Sequence, residues 1–464
     1  MKKLCVTCAL LTAVAAAMAA DVSPEMSYAA GYDAWKGGNY NEAVRNFSLA
    51  ASQGHASAQY HLGLCYAYGN GVKKDLAEAV KYFRSASGQG DNRAMHALAV
   101  AYYYGNGVKK NLAEAAKFYR LAAERGNQYS MHALGVMYLS GTGVEEINES
   151  EAVRYFQLAA QKGNHMAMAA LGHCYLFGQG VERNETRGFE YFRHAAQAEI
   201  PLAWFNLGRC YYSGRGVKKD YAEAFKYCKR AADWKYTEAE YAVGSMYRSG
   251  VGVKKDYVQA FKYFKLAADK GERGAQFAVA ECYSRGDGVK KDYTQAVKYY
   301  RLAAEQGYAY AQYRLANCLL NGDGVEKNEA EAVKYLKMAA MQGFTPAVQG
   351  WASSLASGFA MEKDAAKSIE LTRKLAANGD LEAMVRLGNS YFSGIDVKRD
   401  QAEAVKFYRM AAEKGSAQGA YNLGFVYQYG MGVKKDLQKA RKWYQKALDQ
   451  GHGSAAKSLR FSDE

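Results

Sequence analysis

The fold of this chain is decided by a stretch that repeats, AQYHLGLCYAYGNGVKKDLAEAVKYFRSASGQG, which occupies residues 58–90. It contains the tetrapeptide Gly69-Asn70-Gly71-Val72, and this Gly-x-Gly-Val pattern recurs at an interval of 36 residues, once of 37. Further copies begin at Gly105, Gly141, Gly178, Gly214, Gly250, Gly286, Gly322 and Gly430, and a weaker copy begins at Gly394. A fixed period of this length is typical of stacked structural repeats, and it predicts roughly twelve of them.

Each repeat is predicted to form two helices joined by the glycine loop. Ala58, Leu62 and Tyr66 fall on one face at helical spacing, which predicts an amphipathic helix, here called helix A. Asp75 starts a capping box that predicts helix B, and Gly90 suits a left-handed cap at its end. Because two short helices bury little alone, the sequence predicts an all-α fold: an α/α solenoid superhelix of about twelve 36-residue helix-turn-helix repeats.

Composition and charge limit the class of protein further. The chain has 464 residues, 49% of them hydrophobic, and only 3 prolines, which argues against intrinsic disorder. After the N-terminus there is no run of about 18 apolar residues, so a multi-span membrane protein is excluded. A formal net charge of +15 would suit an anionic partner but selects none by itself.

Residues 1–19 are predicted to be a secretory signal peptide. Lys2 and Lys3 give a basic start, an apolar run follows, and Ala17-Met18-Ala19 is a cleavage motif. The product is therefore expected to be exported, either to the periplasm or out of the cell, without a transmembrane span.

The repeated pattern, A-x-x-x-L-G-x-x-Y-x-x-G-x-G-V followed by D-x-x-x-A-x-x-Y-[FY]-x-x-A-A-x-x-G, resembles the Sel1-like repeat family, a relative of tetratricopeptide repeats. The pattern predicts the following organisation after the signal peptide. Residues 20–54 form an N-terminal capping hairpin, residues 55–343 and 380–451 form Sel1-like repeats, residues 344–379 form a degenerate repeat, and residues 452–464 form a C-terminal cap. Glu199 and Lys235 replace terminal glycines, so the turns are expected to be distorted there.

The resemblance implies a non-catalytic, monomeric scaffold, often exported by bacteria, that binds another protein or peptide or a cell-envelope component. It implies no shared catalytic centre. No cofactor is expected, because no nucleotide-binding motif appears, and an exported protein is not expected to have a nucleic-acid partner. An alternative is a hydrolase or binder of β-lactams or cell-wall peptides, an activity attributed to cysteine-rich relatives. The sequence offers no nucleophile paired with a base for such chemistry.

Cysteine and histidine have structural interpretations. Five of the six cysteines beyond the signal occupy one repeat position, which predicts core thiols, and Cys228 is the one plausible disulfide mate of Cys210. The histidines lack H-E-x-x-H spacing, so no metal site is expected.

Two surfaces are candidate binding sites. The face of helix A opposite the core is expected to line a concave groove, and the position two before the leucine is mostly aromatic. The alternative is that these rings pack on the next repeat. The predicted partner-binding groove comprises Tyr60, His96, His132, Phe205, Arg209, Tyr212, Tyr241, Arg248, Phe277, Tyr313, Phe392 and Tyr421. The loops carry lysine pairs that could bind a polyanion or glycan as a ridge, namely Lys73, Lys74, Lys109, Lys110, Lys218, Lys219, Lys254, Lys255, Lys290 and Lys291.

Overall fold

The computed structural model describes residues 23–360 and 362–460, so the predicted signal peptide lies outside the described residues. These residues form 25 α-helices and no strand. The chain divides into two compact units, Met1–Tyr236 and Thr237–Glu464. Within each unit, consecutive helices pair as hairpins and each hairpin packs on the next. The prediction of an all-α solenoid built from about twelve repeats is confirmed.

The helices of the first unit form six hairpins. They are α1 (Pro24–Lys36), α2 (Tyr40–Ser52), α3 (Ala56–Tyr68), α4 (Leu76–Gly88), α5 (Asn92–Tyr104), α6 (Leu112–Glu124), α7 (Gln128–Ser140), α8 (Glu149–Gln161), α9 (His165–Phe177), α10 (Glu185–Ala196), α11 (Pro201–Ser213) and α12 (Tyr221–Asp233).

The second unit contains six further hairpins and a short terminal helix. They are α13 (Thr237–Ser249), α14 (Tyr257–Asp269), α15 (Arg273–Arg285), α16 (Tyr293–Glu305), α17 (Ala309–Asn321), α18 (Glu329–Met341), α19 (Thr345–Ser357), α20 (Ala365–Ala377), α21 (Leu381–Ser393), α22 (Gln401–Glu413), α23 (Ala417–Tyr429), α24 (Leu437–Asp449) and α25 (Ala455–Arg460). Odd numbers up to α23 are helix A of a hairpin, and even numbers are helix B.

The predicted helix ends are confirmed. Gly69 ends α3 in the left-handed conformation, with φ 80°, and its N–H donates to the carbonyl of Cys65. The side chain of Asp75 caps α4 by accepting a hydrogen bond from the backbone N–H of Glu78 at 2.9 Å. Equivalent caps recur at Asn111, Asn148, Asp220, Asp256, Asp292, Asn328 and Asp400. Each cap satisfies backbone groups that a helix terminus leaves unpaired.

The second glycine of the Gly-x-Gly-Val loop lies at the contact between successive hairpins. Gly107 has φ 73°, and a Cβ added to it would lie 2.1 Å from the carbonyl oxygen of Leu76, the first residue of the preceding helix B. Gly288 repeats this contact in the second unit, where a Cβ would lie 2.0 Å from the carbonyl oxygen of Tyr257. The loop of one repeat therefore rests directly on the backbone of the repeat before it.

The glycine inside helix A allows the two helices of a hairpin to approach closely, as predicted. A Cβ on Gly63 would lie 2.6 Å from the ring of Phe83 on α4, and one on Gly135 would lie 2.4 Å from Phe156 on α8. The neighbouring Leu62 is only 1% exposed and belongs to the core. A mid-helix glycine costs about 1 kcal/mol relative to alanine, which the close packing of the ring offsets.

The expectation that the turn is distorted where a glycine is replaced is wrong at Lys235. This residue keeps the left-handed conformation of the glycine, with φ 61°. Glu199 is also left-handed, with φ 55°, but α10 before it is one residue shorter than its neighbours. The degenerate repeat likewise keeps its turns, with Gly358 at φ 72° and Ala360 at φ 54°. A side chain in this conformation costs roughly 1–2 kcal/mol.

Candidate binding surfaces on helix A and the loops

The predicted groove residues lie on helix A in both units, and most are half-buried. Tyr60, His96, His132 and Phe205 occupy equivalent positions on α3, α5, α7 and α11 of the first unit. Tyr241, Phe277, Tyr313 and Tyr421 occupy the same position on α13, α15, α17 and α23 of the second. At the same position stand Ala169 in the first unit and Gln349 and Val385 in the second, so the stripe of rings is interrupted once in the first unit and twice in the second.

Most rings of the stripe pack one side against their own hairpin. The ring centroid of Tyr60 lies 6.1 Å from that of Phe83 on helix B, and His132 lies 5.8 Å from Phe156. In the second unit the Tyr421 ring lies 5.5 Å from Tyr444. The corresponding residue of α12 is Cys228, which has no ring, and Phe205 there contacts Tyr236 instead, at 5.5 Å.

The alternative of packing on the next repeat holds for part of the stripe. Phe277 contacts Tyr300 of its own hairpin at 5.9 Å, but also Tyr308 at 5.3 Å and Tyr310 of the next helix A at 6.2 Å. His96 accepts or donates a hydrogen bond of 2.8 Å with Ser130 Oγ on α7. These rings therefore contribute to the core as well as to the surface.

The stripe histidines are uncharged at neutral pH. Burial lowers the pKa of His96 to about 4 and also lowers the pKa of His132. Their rings consequently offer an aromatic face rather than a positive charge.

The other predicted groove positions differ in exposure. Arg209 is exposed and lies 5.9 Å over the Phe205 ring, and Tyr212 is 48% exposed. Arg248 is half-buried over the Phe264 ring at 5.2 Å, and Phe392 is half-buried 6.3 Å from Phe425. Arg209 and Tyr212 are thus the pair most accessible to a partner in the first unit.

Glu281, which lies on the same face, is occupied by the fold. It accepts hydrogen bonds from Arg314 at 2.8 Å, from Arg285 at 2.6 Å and from the hydroxyl of Tyr300. Burial alone would raise the pKa of Glu281, but the Tyr300 hydrogen bond and the two arginines lower it below its ordinary value. This carboxylate stabilises the hairpins and is not available to a partner.

The last residue of helix A, six after the leucine, adds exposed rings that the sequence analysis missed. Tyr68 and Tyr104 are 72% and 67% exposed in the first unit, and Tyr429 is 56% exposed in the second. Phe177 is a further exposed ring at this position, whereas several other repeats carry serine there, as at Ser140. A ring at that position is the signal that could have identified these side chains. At 100° per residue, this position borders the predicted groove face.

A stacked aromatic pair inside most hairpins was also missed. Tyr102 of α5 stacks on Phe118 of α6, and Arg84 of the preceding helix B donates a hydrogen bond of 3.2 Å to the Tyr102 hydroxyl. Equivalent pairs, with centroids 5.5 to 6.1 Å apart, are Tyr66–Tyr82, Tyr138–Tyr155, Tyr175–Tyr191, Tyr211–Tyr227, Tyr247–Tyr263, Tyr283–Tyr299 and Tyr391–Phe407. They hold the two helices of a hairpin together.

The lysine pairs are exposed at every predicted ridge position. The second lysine often covers the first residue of helix B, as where Lys291 lies 4.8 Å over the Tyr293 ring. In the first unit two successive loops break the series, because Glu145 and Glu146 stand in one and Glu182 and Arg183 in the next. Polyanion binding by this ridge stays a prediction.

The six cysteines from Cys65 to Cys318 are free, buried thiols. Burial raises the pKa of Cys210 to about 11 and that of Cys228 to about 12. Cys228 packs against helix A, since a Cβ on Gly208 would lie 2.5 Å from its sulfur. Within residues 23–360 and 362–460, no group of three histidine, cysteine or acidic side chains could hold a metal ion. In the same part of the chain no helix is long and apolar enough to cross a membrane.

We expect reducing agent to leave the melting temperature essentially unchanged, because the buried thiols act as core side chains. Iodoacetamide should label the six thiols only after denaturation, since a thiolate is the reactive species and burial disfavours it. Differential scanning fluorimetry with and without dithiothreitol measures the first effect. A fall of many degrees with reductant would instead reveal a stabilising Cys210–Cys228 bridge.

Comparison with known proteins agrees with this geometry. The Sel1 repeat profile matches twelve segments, which are residues 19–55, 56–91, 92–127, 128–164, 165–199, 201–233, 237–272, 274–308, 309–344, 352–380, 381–416 and 417–452. Among curated protein sequences, none is significantly similar to the chain.

Two solved structures illustrate the likeness. The chain is similar to c5321 of uropathogenic Escherichia coli, a protective antigen with an SLR fold, at 32% identity over 90% of each chain and a TM-score of 0.69. It is also similar to a Sel1 repeat protein from Oxalobacter formigenes, at 29% identity over 53% of this chain and 96% of that one, with a TM-score of 0.47. From the twelve matched segments, its helical hairpins and the likeness to the Escherichia coli protein, the chain belongs to the Sel1 repeat family.

Proposed function

We propose that this protein is a non-catalytic, monomeric scaffold that is exported and binds another protein, a component of the cell envelope, along the helix A faces of its units. The observation that carries this proposal is the run of aromatic and arginine side chains on those faces. Arg209 and Tyr212 are exposed there, and Tyr104 is exposed at the border of this face. Aromatic and arginine residues dominate binding hot spots, and a rigid surface loses little entropy on binding.

The fold supports a binding role rather than a catalytic one. Each stacked repeat presents the same face of its helix A, so an extended peptide can contact several repeats at once. The repeated loop glycines are fully used for helix caps and contacts between hairpins, as at Gly69 and Gly107. For the alternative of cell-wall peptide hydrolysis, the sequence offers no nucleophile paired with a base.

Export is supported by the N-terminal sequence and by one relative. The tripartite pattern of residues 1–19 is typical of a signal peptide. The similar Escherichia coli protein is called a protective antigen, a property that suits a protein reached by antibodies.

Cleavage after Ala19 is the expected consequence of this proposal. N-terminal sequencing of protein from the periplasm or the medium should begin at Ala20, because Ala17-Met18-Ala19 has the small residues that signal peptidase requires. Recovery of the whole pool from the cytoplasm with Met1 intact would contradict it.

The scaffold role is tested by capture from the cell envelope. Purified mature protein, immobilised and incubated with detergent-solubilised envelope, should retain one protein in stoichiometric amount. A variant with Arg209→Glu and Tyr212→Ala should fail to retain it, and Lys218→Glu should retain it. Equal retention by both variants would refute the helix A face as the binding surface.

A further inference from the structure

A pocket of about 740 Å³ opens in the second unit, in the repeat that lacks the Gly-x-Gly-Val loop. Val348, Trp351 and Leu355 of α19 line it together with Leu371 and Leu375 of α20. Its other side is formed by the C-terminal half of α18. The volume is within the range of 300–1,000 Å³ that is usual for small-molecule sites.

The pocket exists because this hairpin carries smaller side chains than its neighbours. Leu355 and Leu371 stand where most other hairpins have a stacked aromatic pair, such as Tyr391 and Phe407 of the following repeat. Thr372 stands where α16 has Tyr300, and its hydroxyl bonds the Ser368 carbonyl oxygen at 2.8 Å. The aromatic rings that other hairpins carry at these positions are therefore missing beside the pocket.

Trp351 shows independently that the fold does not complete this region. It occupies the position of the helix A leucine and is 8% exposed. Its indole N–H is buried and has no hydrogen-bond partner among the described residues. Leaving a buried donor unpaired is unfavourable, and such groups are rare in proteins.

The rim of the pocket is positively charged. Lys337, Lys367 and Lys374 line it. Lys367 and Lys374 share a single carboxylate, Glu370, at 2.8 and 2.7 Å, and their hydrogen bonds lower the pKa of Glu370 to about 2. Lys337 lies 5.8 Å over the Trp351 ring and forms no ion pair within the described ranges.

Asp364 also lines the pocket, and it caps α20 by accepting a hydrogen bond from the Lys367 backbone N–H at 2.8 Å. Its oxygen is therefore engaged with the backbone. Three ammonium groups against two engaged carboxylates leave the rim with a net positive charge, which complements an anion.

We propose that this pocket binds a medium-chain fatty acid, with the acyl chain on Val348, Trp351 and Leu371 and the carboxylate at the lysine rim. Apolar surface buried by the chain supplies the affinity, and the lysines select a negative head group. This site lies at the side of α19 that faces α18 and α20. It is separate from the residues proposed to bind a protein partner, so each proposal stands or falls alone.

Calorimetric titration of the full mature chain with sodium dodecanoate below its micelle concentration tests the site. One dodecanoate per chain should bind, and binding should change Trp351 fluorescence. Dodecanol has the same chain without the charge, and it should bind at least tenfold more weakly. No saturable binding of dodecanoate up to millimolar concentration would overturn the proposal, and so would equal affinity for dodecanol.

Two variants locate the site. Leu371→Phe restores the ring that the equivalent Phe407 supplies in the next repeat, and it should abolish binding while the melting temperature is kept or raised. Lys337→Glu changes an exposed rim residue and should weaken binding at least fivefold without unfolding the chain. If the Leu371→Phe variant does not fold, the Lys337→Glu variant tests the site by itself. An unchanged affinity of that variant for dodecanoate would contradict the proposed site.

Discussion

Alanine at Gly288 is expected to lower the free energy of unfolding of the repeats around it by about 3 kcal/mol. Part of this loss, roughly 1–2 kcal/mol, comes from placing a side chain at φ 72°. The rest comes from the Cβ, which would lie 2.0 Å from the Tyr257 carbonyl oxygen and force the two hairpins apart. Urea unfolding followed by circular dichroism measures the effect.

Gly307→Ala is the matched control for this prediction. Gly307 has φ 79°, but a Cβ there would meet no atom within 4 Å. The Gly307→Ala variant should therefore lose only the conformational part, roughly 1–2 kcal/mol. Equal losses in the two variants would show that the loop glycine is needed for its conformation alone and not for contact between hairpins.

The second large effect concerns binding. Combining Arg209→Glu with Tyr212→Ala should weaken the complex with the captured envelope protein by at least about 30-fold, which corresponds to about 2 kcal/mol for a hot-spot residue. The melting temperature should change little, because Arg209 is exposed and Tyr212 is 48% exposed. Biolayer interferometry with the purified partner gives the dissociation constants.

Lys218→Glu provides the control in the same hairpin. It reverses an exposed charge on the loop between α11 and α12 rather than on the helix A face. We expect its affinity to stay within about twofold of the wild type, as is usual for a charge outside an interface. If Lys218→Glu weakens binding and the helix A variant does not, the lysine ridge is the binding surface.

Larger changes on the stripe would be harder to interpret. Replacing Phe205, Tyr241 and Phe277 by alanine removes rings that contact Tyr236, Phe264 and Tyr300. Such a variant is expected to lose stability as well as binding, since a buried ring contributes to packing. Arg209 and Tyr212 separate the two effects better.

The repeat period and the helix ends could be predicted from sequence because they depend on local chemistry. Asp75 caps a helix, and Gly69 adopts a left-handed conformation, whatever the repeat packs against. The contact of Gly107 with Leu76 could not be predicted, because it depends on how far one hairpin is shifted against the next.

The candidate site was predicted only in outline. Helical spacing places Tyr60 opposite Leu62, but it does not reveal that Phe83 of helix B covers one side of the Tyr60 ring. The degenerate repeat could likewise be recognised from sequence, because it lacks the glycine-valine loop. The pocket beside Trp351 could not be predicted, because it depends on how α20 packs. The exposure of a side chain depends on contacts between helices. The periodicity of residues within one helix gives no information about those contacts.

Photo-crosslinking from single positions in the native cell envelope tests the central claim most directly. A benzoylphenylalanine at Tyr212, on the helix A face, should crosslink to one envelope protein, while the same residue at Lys226, exposed on helix B of that hairpin, should not. Crosslinks to that protein from Lys226 and none from Tyr212 would contradict the account.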